Sequence, residues 1–289
     1  MFKKTSLIGF TVCLIFVLLS VFAACSKLPD LKGAPVIDVK IVDTGYKKST
    51  NWDRAQGLAC DGRRFYYAGH NDNRGKAADI HIIDAETMAD VRVLENAGAM
   101  HSAELYYSHS RSTLFACSGG DGRKPYVFEI DPTDGKRINE WYFDDLGEKG
   151  GGLITFDGDG NLILFTSSDD GARIGFDVVS LYDGGRFDVL SSCLFSDTDL
   201  GVPQGLEWYD GYLYLLCDPG KTVNHEPHYM YKIELVSGGT EMKVLAAFNI
   251  PADVETEGLC FAPNGNVYLG DARERIWKLE LTVSELAAK

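Results

Sequence analysis

Residues 204–217 read QGLEWYDGYLYLLC, and the same phrase returns as QGLACDGRRFYYAGH from Gln56 and as EGLCFAPNGNVYLGDA from Glu257. In each copy a polar residue and a glycine lead into a short apolar run. A glycine-bearing polar turn follows, and a second apolar run comes back, which is the signature of a tight antiparallel hairpin. Two looser copies, AELYYSHSRSTLFACSGG from Ala103 and GGLITFDGDGNLILFTSS from Gly151, fill the interval between the first and fourth. The five starts lie 47, 48, 53 and 53 residues apart, a period that belongs to repeat architectures such as propellers and solenoids.

Each unit continues with a third strand, starting at Ile80, Tyr126, Phe176, Tyr229 and Arg275. A fourth strand follows in the first four units, starting at Val91, Arg137, Phe187 and Met242. The fifth unit runs out of chain after its third strand. The segment VIDVKIVDTG from Val36 precedes the first unit and has the character of a fourth strand. It is therefore expected to close the fifth unit from the other end of the chain, as radially arranged sheets do to protect their edges. The expectation is an all-β, five-bladed β-propeller of four-stranded antiparallel blades, one domain spanning residues 36–282. A tail at 283–289 holds one short helical turn at 283–288.

Composition agrees with an all-β chain. The sequence has 45% hydrophobic residues, 31 Gly, 14 Tyr and 15 Phe, a balance that favours pleated surfaces joined by glycine turns. The formal charge of -14 argues against nucleic acid or an anionic membrane surface as a partner. Residues 1–25 form an address: Lys3 and Lys4 precede an apolar run from Leu7 to Ala24. Phe22-Ala23-Ala24-Cys25 resembles a bacterial lipoprotein signal, in which the Cys is lipidated and becomes the new N-terminus. The resemblance implies an extracytoplasmic protein held to a bacterial membrane by a lipid on Cys25, with residues 26–35 as a tether. Cys60, Cys117, Cys193, Cys217 and Cys260 lie in apolar strand-like runs without C-x-x-C spacing, and are expected to be small core residues rather than zinc or redox ligands.

In a propeller the innermost strands all begin on one face of the disc, and the loops between second and third strands return to it. Arg54, Gln56, His101, Glu104, Lys149, Gln204, Glu255 and Glu257 stand at the strand starts. His70, Asn71, Asp72, Asn73, Asp170, Asp218, Asp271 and Arg273 stand in the returning loops. Such a ring suits a hydrogen-bonding ligand site, for which Gln56, His70, His101, Glu104 and Gln204 are the candidates. Its acids also suit a hard cation such as Ca2+, with Glu257 and Asp271 as candidate ligands. His101 is the candidate general base or ligand. His225 and His228, with Glu226, read as a solvated loop.

The Gln56-Gly57-Leu58, Gln204-Gly205-Leu206 and Glu257-Gly258-Leu259 phrases resemble bacterial extracytoplasmic propellers. Two groups are similar: gluconolactonase-like proteins and the five-bladed glutaminyl cyclotransferases. In the cyclotransferases a Glu follows on the second strand of the same blade, where this chain has Phe65-Tyr66-Tyr67 and Leu213-Tyr214-Leu215. The lactonase-like group surrounds a central divalent ion with Glu, Asn and Asp, and Glu257 and Asp271 are the counterparts of two of these. Two functions are therefore expected: a lipid-anchored ligand-binding or protein-interaction module, or a divalent-metal-dependent hydrolase of lactonase or phosphoesterase type.

Overall fold

A computed structural model describes residues 33–46, 48, 54–70, 77–99, 101–118, 125–144, 146, 149–167, 174–195, 200–218, 228–236, 241–253 and 255–286. Cys25, expected to carry a lipid, the expected address segment, most of the expected tether and the His225 loop lie outside these residues.

Five antiparallel sheets form a ring. The first blade is β3 (Arg54–Cys60), β4 (Arg64–His70), β5 (Ile80–Asp84) and β6 (Asp90–Leu94). The second is β7 (Ser102–Ser108), β8 (Thr113–Ser118), β9 (Tyr126–Ile130) and β10 (Arg137–Tyr142). The third is β11 (Lys149–Phe156), β12 (Leu162–Ser167), β13 (Ile174–Tyr182) and β14 (Arg186–Phe195). The fourth is β15 (Val202–Tyr209), β16 (Tyr212–Asp218), β17 (His228–Val236) and β18 (Glu241–Ile250). The fifth is β19 (Thr256–Phe261), β20 (Val267–Asp271) and β21 (Ile276–Glu280), completed by β2 (Lys40–Asp43).

The N-terminal segment does more than close one blade. β1 (Val36–Asp38) adds a parallel strand to the outer edge of the fourth blade, pairing Val36 with Ala247. The chain then crosses at Val39, which is buried between the fourth and fifth blades and bonds its amide to the Asn249 carbonyl. β2 finally pairs antiparallel with β21. One continuous segment thus covers two edges that would otherwise expose unpaired backbone. The tail holds a single helical turn, α1 (Val283–Leu286), begun by a reciprocal pair of hydrogen bonds between Thr282 and Glu285.

The core lies between blades rather than in one central mass. Five apolar clusters occupy the five interfaces, one for each pair of neighbouring sheets. Trp141, fully buried, fills the second-to-third interface and donates its indole N–H to the Tyr182 carbonyl at 2.9 Å. Each inner strand also carries an irregularity near its start, between Ala55 and Leu58, Ser102 and Glu104, Gly150 and Ile154, Pro203 and Gly205, and Glu257 and Leu259. A bulge bends a strand and re-aims its side chains. Here it does so five times at one level of the ring.

The glycines of the repeated phrase have a reason in this geometry. A Cβ on Gly57 would sit 2.5 Å from the Leu105 amide nitrogen, and one on Gly258 would sit 2.5 Å from that of Leu58. Gly258 also holds φ at +66°. The inner strands β3, β7, β11, β15 and β19 abut in a closed ring, and only a residue without a side chain permits the approach. The inner strands enclose a central channel filled by buried side chains such as Glu104, with an upper mouth, where the inner strands begin, and a lower mouth, where they turn into hairpins.

Candidate functional site

The upper mouth gathers most of the candidate residues. The Gln56 amide donates from Nε2 to its neighbouring Ala55 carbonyl at 2.9 Å, which turns Oε1 toward His101 Nε2 at 2.6 Å. An amide oxygen only accepts, so Nε2 of His101 carries the proton. This bond joins the first blade to the second. Gln204 makes the corresponding link from the fourth blade, donating to Glu255 Oε1 at 3.1 Å and to Asp218 Oδ2 at 3.3 Å.

Glu104 is the deepest member, with no exposure to solvent. Its Oε2 accepts the Leu206 amide at 2.7 Å, across the channel, and its Oε1 faces the Leu105 amide at 3.3 Å. Burial pushes its pKa well above the usual carboxylate range; the amide bonds oppose this, and the nearby Glu207 and Glu257 reinforce it. Glu257 is buried, 6% exposed, and close enough to Tyr67 and Glu104 to influence both.

Asp218 is a hub that the sequence offered only as a loop acid. Its Oδ1 accepts from Thr256 Oγ1 at 2.5 Å and meets His228 Nδ1 at 2.5 Å. His228 is 2% exposed, which corrects the expectation of a solvated loop residue. It begins β17, and the acid beside it fixes its ring as second partners of histidine commonly do.

Asp271, the candidate metal ligand, is fully buried at the end of β20. Its carboxylate accepts from Arg275 Nε at 2.6 Å, from the Trp277 indole N–H at 2.8 Å, and from the amides of Arg273 and Arg275 at 2.9 and 3.0 Å. A guanidinium, an indole and two amides use the lone pairs that a cation would take. Tyr67 of the first blade closes over this corner, donating to the Asp271 carbonyl at 3.1 Å and accepting its amide at 3.0 Å. Among the described residues no group of three or more His, Cys, Asp or Glu is arranged to hold a metal ion. The structure therefore brings together Gln56 with His101, and Gln204 with Glu255 and Asp218, while Asp271 belongs to a separate corner. His70 ends β4 opposite Arg54; both side chains lie outside the described set, as do the 71–76 and 168–173 loops.

The cysteine expectation holds where it is described: Cys60, Cys117, Cys217 and Cys260 are free and buried. Cys60 and Cys260, from the inner strands of the first and fifth blades, are close enough for each to influence the other's ionisation. Sequence reading passed over Glu207, a carboxyl near the lower mouth that burial raises to about 8. In the run Leu206-Glu207-Trp208 it reads as the outward residue of an alternating strand, and only ring closure buries it.

Neither a protein-family model nor a curated protein sequence matches the chain. Solved structures do share its architecture. An exo-β-1,3-galactanase from Clostridium thermocellum superposes with a TM-score of 0.56 at 14% identity, over 85% of this chain and 64% of that one. An engineered GH43 glycoside hydrolase with endo-xylanase and exo-arabinofuranosidase activity gives a TM-score of 0.51 at 13% identity, over 85% and 53%. This chain spans less than two thirds of the length of either protein. The likeness is one of fold: this is a five-bladed β-propeller.

Proposed function

We propose that the protein is an extracytoplasmic propeller, lipid-anchored through Cys25, that binds a small polar ligand at the upper mouth of its channel. The observation that carries this reading is the pair of inter-blade links, Gln56 with His101 and Gln204 with Glu255. Each holds an amide in a fixed orientation at the face of the ring where the inner strands begin, so hydrogen-bonding groups are ordered before any ligand arrives. His101 is partly exposed there and Glu104 forms the floor. Engagement of Asp271 by Arg275 and Trp277 favours binding over metal-dependent hydrolysis, because the second acid of a two-carboxylate calcium site is already neutralised.

The test is thermal unfolding of the mature protein with neutral oligosaccharides, amino acids, and calcium against a chelator. Saccharides head the panel, since both solved relatives are named for activities on them. A ligand selective for the folded state adds about 2.7 kcal/mol at a hundredfold excess over Kd. A shift abolished in His101→Ala and in Gln204→Ala supports the reading. A calcium-dependent shift lost in Glu257→Gln, accompanied by ester, lactone or phosphate hydrolysis, replaces it with the metal-dependent hydrolase. Failure of the whole panel removes the upper mouth as a small-molecule site.

A further inference from the structure

The lower mouth has a different chemistry. A cavity of about 160 Å3 opens there between the hairpin ends of the first, second, fourth and fifth blades. Its walls include Tyr106, Tyr107, Trp208, Tyr209 and Phe261, and Glu207 contributes the acid. The rings are fixed by packing: Tyr209 stacks on Phe261 with centroids 4.6 Å apart, Tyr107 stacks on Tyr66 at 5.6 Å, and Tyr106 meets Phe156 at 4.9 Å. The five aromatic side chains come from four different inter-blade clusters and converge on this one opening.

Glu207 lies among these rings and is 7% exposed. Its Oε1 accepts from Thr155 Oγ1 at 3.1 Å and from the Trp208 amide at 3.2 Å. Among the described residues no Lys or Arg makes an ion pair with it. An acid with hydrogen-bond donors but no countercharge, beside several aromatic rings, is matched by a cation that needs no hydrogen bond, because aromatic quadrupoles attract positive charge and the acid completes its neutralisation. The size agrees: a cavity of about 150 Å3 takes a ligand of about six heavy atoms, the scale of a trimethylammonium group with a short arm. The acidic chain, at a formal -14, adds a field of the same sign.

We propose that the lower mouth, formed by Glu207 with Tyr106, Trp208, Tyr209 and Phe261, is a binding site for a small quaternary ammonium ion. The site lies at the opposite mouth from the ligand site proposed above and does not rest on that reading.

Protonation supplies an internal check. Burial holds the Glu207 carboxyl at about 8, so a cation gains its countercharge only as pH rises through that value. Affinity therefore increases between about pH 6 and about pH 9. The titratable groups facing Glu207 from the packed strands are Cys60, Cys260, Glu104 and Tyr106, with His109 on the cavity wall. Glu207→Gln separates its share from theirs.

The experiment is calorimetric titration of the full protein with choline chloride and tetramethylammonium chloride, with sodium chloride and the neutral choline isostere 3,3-dimethylbutan-1-ol as controls. Saturable binding of the two cations, weakened about tenfold in Trp208→Ala and in Glu207→Gln, is the expected result. Glu207→Gln also loses the rise with pH and keeps an oxygen for Thr155 and Trp208, so it serves if Trp208→Ala fails to fold. Equal binding of the neutral isostere overturns charge recognition. Absence of saturable heat with either cation at pH 9, or unchanged affinity in Glu207→Gln, overturns the site.

Discussion

The Glu104 carboxyl on β7 accepts the backbone amide of Leu206 on β15 at 2.7 Å, tying the second blade to the fourth across the channel. A group fixed in this way couples the ring to pH. Burial raises Glu104 well above the carboxylate range and raises Glu207 to about 8. Between the unfolded value of about 4.5 and the folded value, the native state holds more protons than the unfolded chain, so stability is full below 4.5 and declines as pH rises through the folded value. Melting temperature is expected to fall by several degrees between about pH 5 and pH 8. A calorimetric pH series on Glu104→Gln and Glu207→Gln checks this; each flattens the decline, and a slope unchanged in both refutes the assignment.

Gly57 is a contact point between inner strands, and its Cβ would lie 2.5 Å from backbone on β7. Gly57→Ala is expected to cost about 3 kcal/mol or more, because the obstacle is main chain and cannot rotate away. Gly160, in the third-blade hairpin, has open space around it; its φ of +83° leaves Gly160→Ala only the smaller local strain. Urea unfolding of the two variants compares them, and equal losses would mean that the ring is looser than the contact implies.

Asp271 anchors the turn between β20 and β21. Removing its charge leaves the Trp277 indole and the Arg273 and Arg275 amides without their acceptor, while Arg275 keeps Asp253, and Asp271→Ala is expected to destabilise by about 2–3 kcal/mol, as unsatisfied buried donors do. The loss should be the same with and without calcium. A loss seen only when calcium is present would return Asp271 to the role of metal ligand.

Cys60 differs from the other described thiols. The neighbouring Cys260 thiol is the largest influence lowering it, reinforced by the Gly62 amide, while burial pushes Cys117, Cys217 and Cys260 up. Thiolates are the species that alkylate, and Cys60 is also on the wall of the lower cavity. Peptide mapping after brief iodoacetamide treatment should find Cys60 labelled first of these four, and more slowly in Cys260→Ala. Preferential labelling of Cys117 or Cys217 would contradict the arrangement.

The repeat was legible because hairpins are local. Asp210-Gly211 adopts positive φ at both residues, the geometry of a two-residue loop that the sequence announces by itself. Pairing of Gln56 with His101 was half legible: both residues mark strand starts, but a separation of 45 residues hides that adjacent blades bring them within 2.6 Å. The fate of Asp271 was not legible, since its partners Arg275 and Trp277 follow a turn whose direction the chain alone does not set.

Alternation of apolar and polar residues, glycine turns and a period near fifty residues determined five four-stranded units and a borrowed closing strand, because those signals act within a few residues of one another. Only the tertiary structure decided that the closing segment divides between two blades, that His228 is buried against Asp218, and that Glu207 lies in an aromatic mouth. Each depends on closing the ring, which brings together residues from strands far apart in sequence and removes them from water.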